Sequence, residues 1–78
     1  MKVLGTTKTY LTPKQKAILL FLTDHLERFG FAPTQQEIAD ALSMTRSLVL
    51  YHLNVLEKSG YLERLGDKRR NLRVLRKI

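Results

Sequence analysis

Apolar residues recur at helical spacing through Ala17, Ile18, Phe21, Leu22, Leu26 and Phe29, which predicts a first helix with one apolar stripe. Its start is written at Thr12-Pro13-Lys14-Gln15: threonine caps free amides, proline tolerates the first helical position, and Gln15 completes a capping box. Gly30 ends it, because glycine adopts the left-handed C-terminal conformation without steric cost. A second capping box, Thr34-Gln35-Gln36-Glu37, starts a short helix through Leu42 whose buried face is Ile38, Ala39 and Leu42. After only Ser43-Met44, Thr45 caps a third helix running to about Ser59 and closed by Gly60. So tight a link makes the two helices cross steeply, either as a helix-turn-helix or as an ordinary corner of a three-helix bundle.

Beyond Gly60 the period changes from 3.6 to 2. Tyr61-Leu62-Glu63-Arg64-Leu65 and Asn71-Leu72-Arg73-Val74-Leu75 read as strands joined by Gly66-Asp67-Lys68-Arg69-Arg70, a β-hairpin with a basic tip. Leu62 with Leu72 or Val74 is expected to cover the helices while Arg64, Arg69, Arg70 and Arg73 stay in water. The fold class is thus mainly α with a small β-hairpin: three helices and a two-stranded hairpin over residues 12–78, preceded by an arm over 1–11.

Composition narrows the chemistry. Seventy-eight residues make one small domain with little room for a large catalytic cleft, and the absence of cysteine removes disulfides and thiolate metal sites. A chain 44% hydrophobic and 27% charged is too apolar for disorder and too mixed for a membrane span, so a soluble, cytoplasmic domain is expected. The net charge of +7 points to a polyanion. Residues 61–78 carry +5 of it, from seven basic residues against Glu63 and Asp67, either as a phosphate-contacting wing or as a solvated tail. His25 and His52, 27 positions apart with no third ligand nearby, imply no zinc or heme. No small-molecule ligand is indicated. Glycine-rich phosphate loops, nucleophile elbows and Ser-His-acid sets are missing, which argues against an enzyme.

The third helix carries most of the functional argument. Leu53 and Leu56 lie within about 40° of Val49 on a helical wheel, defining the core line, while Ser47, Tyr51, Asn54 and Lys58 lie within about 40° of the opposite pole. That column holds hydrogen-bonding side chains and no acid, which suits base edges and phosphate oxygens. Leu48 and Leu50 flank it, either to pack on a thymine methyl group or to close a dimer contact. Arg46 stands in the first turn, where free amides and the helix dipole already favour phosphate and where arginine can fork onto guanine. His52, beside the core line, is expected to be packed and hydrogen-bonded rather than a reader.

The runs LTPKQKAILLFL, GFAPTQQEIADAL and VLYHLNVLEKSGYLER resemble the N-terminal DNA-binding domain of the LexA repressors over residues 11–75. The more specific blocks are Leu-Thr-x-x-Gln from Leu11, Gly-Phe-x-Pro-Thr-x-x-Glu-Ile-Ala from Gly30 to Ala39, and His-Leu-x-x-Leu-x-x-x-Gly from His52 to Gly60, the last also common in MarR-like and ArsR-like winged helices. The resemblance implies a winged helix-turn-helix of three helices plus a two-stranded wing, with the third helix in the major groove and the wing on adjacent backbone or minor groove. It places Thr45, Ser47, Leu48, Leu50 and Tyr51 where the family's recognition helix contacts DNA. Where the family has small or polar residues this chain has Leu48, Leu50 and Tyr51, so an operator other than the usual SOS box is expected. The family's C-terminal self-cleaving domain has no counterpart before Ile78, and in a complete chain self-cleavage would not be the switch. The candidate contacts with double-stranded DNA are Thr34, Thr45, Arg46, Ser47, Leu48, Leu50, Tyr51, Asn54 and Lys58, with Lys68, Arg69 and Arg70 of the wing. The expected function is transcriptional regulation, by repression, with a homodimer on a two-fold operator as the possible assembly. A winged-helix module that docks a protein partner and an RNA-binding domain stay open as alternatives, although A-form RNA has a major groove too narrow for a helix.

Overall fold

The computed structural model describes residues 11–64 and 72–76. The N-terminal arm through Tyr10 and the hairpin tip with Lys68, Arg69 and Arg70 lie outside the described residues. Three helices, α1 (Pro13–Phe29), α2 (Gln35–Leu42) and α3 (Arg46–Lys58), are followed by β1 (Leu62–Arg64) and β2 (Leu72–Val74). None of the described helices is long and apolar enough to cross a membrane.

Each helix begins where its threonine predicts. Thr12 Oγ1 accepts from the Gln15 amide at 3.2 Å and Gln15 Oε1 accepts from the Thr12 amide at 3.1 Å. Thr34 and Glu37 repeat the exchange at 3.1 and 2.8 Å. Thr45 Oγ1 accepts from the Leu48 amide at 3.1 Å, but the third helical residue is here a leucine and returns nothing. Gly30 closes α1 at φ 80°. Past α3, the Gly60 amide donates to the Glu57 carbonyl and the Tyr61 amide to the Leu56 carbonyl, a Schellman motif with Gly60 at φ 84°. The turn between α2 and α3 contains Ser43, which closes α2 in the left-handed region at φ 56° although it carries a side chain.

Ile18, Leu19 and Leu22 of α1, Ile38 and Ala39 of α2, Val49, Leu53 and Leu56 of α3, and Leu62 of β1 form the core. The first helix departs from its predicted stripe: Leu19 is fully buried and Phe29 is 58% exposed. Because α1 packs against α2, α3 and β2 together, its buried face is broader than one stripe, and Phe29 at its last turn lies past that contact. Phe29 instead joins Phe31 around His25, with ring centroids 4.6 and 5.5 Å from the imidazole. The predicted Leu42 face of α2 is half-buried against the core.

β1 and β2 pair antiparallel with Leu62 opposite Val74, Glu63 opposite Arg73 and Arg64 opposite Leu72. The period of two then puts Leu62, Arg64, Leu72 and Val74 on the face toward the helices and pairs Glu63 with Arg73 on the outer face, where they form an ion pair. Leu72 and Val74 pack on the core as expected. Arg64 does not stay in water. Its side chain is 30% exposed and turned onto α3. The Arg76 guanidinium sits 4.7 Å from the centre of the Tyr61 ring.

Candidate nucleic-acid interface

The outward face of α3 is built by exclusion. Val49, His52, Leu53 and Leu56 are buried, which turns Arg46, Ser47, Leu50, Tyr51, Asn54 and Lys58 outward, all of them exposed. Tyr51 is 58% and Leu50 38% exposed, large apolar surfaces on a helix that buries its other side. Leu48, placed at the flank of the column, is half-buried. The first turn contains no acid, so the helix end keeps its positive partial charge, and Arg46 adds a full one beside it. Thr45 and Thr34, both candidate contacts, use their hydroxyl oxygens as caps, which leaves each O–H free in valence to donate outward.

The lower half of the face is tied to the wing. Arg64 Nη2 donates to Asn54 Oδ1 at 3.0 Å, and Arg64 Nε stands 3.8 Å from Glu57 Oε1. The one carboxylate on this half of α3 thus stands beside a cation of the wing. Sequence reasoning left Arg64 in solvent, yet the alternation that points Leu62 inward already assigns Arg64 to the same face.

His52 is the packed histidine that the wheel predicts. Gln15 Oε1 is engaged by the Thr12 amide, so its Nε2 faces His52 and donates to Nδ1 at 3.1 Å. Nδ1 is then the bare nitrogen, and the ring proton sits on Nε2, which is buried with no partner among the described residues. Burial, and after it the positive charge of Lys14, lowers the imidazole pKa below its ordinary value. His25 is different: its Nδ1 donates to the Phe31 carbonyl at 2.8 Å within the aromatic group. Among the described residues no cluster of His, Asp or Glu could hold a metal ion.

The LexA DNA-binding domain family matches residues 8–71. The LexA repressor of Thermotoga petrophila is 43% identical over 68 residues, and that of Thermotoga maritima 41% over the same length, each match covering 87% of this chain and 34% of the relative. The LexA repressor of Leptospira interrogans is 38% identical over 66 residues, covering 85% of this chain and 32% of the relative. The chain therefore spans about a third of the length of the curated relatives it matches. Among solved structures, S. aureus MepR bound to ethidium bromide superposes with a TM-score of 0.69 at 28% identity, covering 87% of this chain and 49% of that one. A mutant of S. aureus MepR gives 0.68 at 31% identity, covering 82% and 47%. Three helices, a hairpin wing and a matched stretch running from the arm to the wing together make this chain a member of the LexA DNA-binding domain family.

Proposed function

We propose that the chain is a sequence-specific reader of double-stranded DNA that serves transcriptional repression and carries out no catalysis. The observation that supports it most directly is the exposed face of α3, free of acid from Arg46 to Asn54 and mixing hydrogen-bonding with apolar side chains, on a helix whose opposite side is wholly buried. In this reading Ser47, Leu50 and Tyr51 meet base edges, with Leu48 at the margin and Leu50 placed for a thymine methyl group. Thr34, Thr45, Arg46 and Lys58 hold phosphates, joined by Lys68, Arg69 and Arg70 of the wing. The occupation of the reading column by Leu50 and Tyr51 gives the chain its own operator. A two-fold operator would seat two copies.

Selection of bound duplexes from a random pool tests this reading. An enriched motif that changes in Ser47→Ala and in Tyr51→Ala is the expected result. An unenriched pool would remove the proposal and leave the second reading, in which Leu50 and Tyr51, both exposed, dock a protein partner. Arg69→Ala with Arg70→Ala should weaken binding to every sequence and make the dependence of log K on log salt shallower by about 0.9 for each lost contact.

A further inference from the structure

Asn54 lies on the reading side of α3, and the residue that touches it comes from the wing. Arginine has donors only, so the 3.0 Å contact with Arg64 Nη2 fixes which way the Asn54 amide points: Oδ1 faces the hairpin and Nδ2 is turned away from it. The Arg64 guanidinium is itself held, with Glu57 Oε1 3.8 Å from its Nε and the side chain only 30% exposed. β1 pairing with β2 carries the Arg64 backbone, through the register that sets it opposite Leu72. A side chain from the wing thus orients a side chain of the helix.

Building on the DNA-reading function proposed above, we infer that Arg64 is a positioning residue that makes Asn54 a hydrogen-bond donor to a base-edge acceptor. An asparagine free to turn pairs with adenine through both its oxygen and its nitrogen, accepting from N6 and donating to N7. Here the oxygen is committed to Arg64. What remains for the groove is the NH2 group, which matches an acceptor such as guanine O6 or N7, thymine O4 or adenine N7 alike, and forgoes the two-bond contact that would favour adenine. The wing therefore contributes to base preference through a residue that never touches the base. Glu57 has a part in the same device, since its carboxylate holds the guanidinium against α3 and is itself neutralised at the edge of the reading face.

The test is binding-site selection with the wild-type chain, Asn54→Ala, Arg64→Ala, Arg64→Met and the double variant Asn54→Ala with Arg64→Ala, after thermal melting has confirmed that each is folded. Asn54→Ala is expected to erase the preference at one base pair. Arg64→Ala should shift the preference at that same base pair toward adenine roughly fivefold or more, because the freed amide can turn and make both bonds. The double alanine variant should add nothing further at that position. Arg64→Met keeps the length of the stem without any donor and should show the same relaxation, which covers the case in which the alanine variant does not fold. Unchanged preference in the Arg64 variants, or a change at a base pair that Asn54→Ala leaves alone, overturns the inference while the DNA-reading function stands. So does a uniform loss of affinity with a salt slope shallower by about 0.9, which would make Arg64 a phosphate contact. A wild-type chain that enriches no motif overturns both.

Discussion

His52 shows how one buried side chain links stability to acidity. Its Nδ1 accepts from Gln15, and a proton added there would replace an acceptor by a donor facing a donor. The folded chain therefore binds that proton less readily than the unfolded chain does, with burial as the main cause and Lys14 as the second. Stability from this group is complete above the ordinary pKa of 6.5 and falls as pH drops below it toward the lowered folded value. Urea unfolding between pH 8 and pH 5 should show that decline, and His52→Gln should remove its contribution; an equal decline in both chains would place the effect elsewhere. Ser43 is a second residue with a measurable cost. A left-handed backbone is disfavoured by roughly 1–2 kcal/mol for a residue with a side chain, and glycine's extra freedom when unfolded offsets part of that, so Ser43→Gly should gain about 1 kcal/mol or less. Thermal melting reads the change directly, and a fall in stability would mean that the Ser43 side chain does something useful in the turn.

The elements differ in how much of their environment is local. At the start of α3 the helix dipole meets no acid, only Arg46. Arg46→Glu should raise stability by about 0.3–1 kcal/mol, seen as a higher melting temperature, and sharply weaken duplex binding. A variant that gains stability and keeps its affinity would take Arg46 out of the interface. Caps of this kind were legible in the sequence because donor and acceptor stand three residues apart, and all three threonine starts fall where the chain writes them. The hairpin's inward face was legible too, through its period of two, although Arg64, expected in water, shares that face. Contacts between distant positions were not legible. Nothing near Gln15 announces that its amide meets a histidine 37 residues on, and nothing local says that α1 touches three elements and so buries Leu19. In the candidate site the exposed column of α3 followed from the wheel alone. The bridge that orients Asn54 needed the strand register.

Taken whole, the molecule is a small core beneath a strongly positive surface, and its net charge of +7 works against compactness until an anion is bound. Duplex DNA that binds only the folded chain should raise the melting temperature in proportion to the logarithm of its concentration, by an amount equivalent to about 2.7 kcal/mol at a hundredfold excess over Kd. A melting temperature indifferent to duplex would contradict the interface assigned to α3. The acid-free start of α3 gives this linkage a cellular meaning. A carboxylate there would add stability to the unoccupied helix, whereas this one gains that stability only from a bound anion. Copies that find no site open more often, and opened chains are what proteases cut. Turnover should then fall first on the unbound copies, so that the number of available operators sets how much regulator persists.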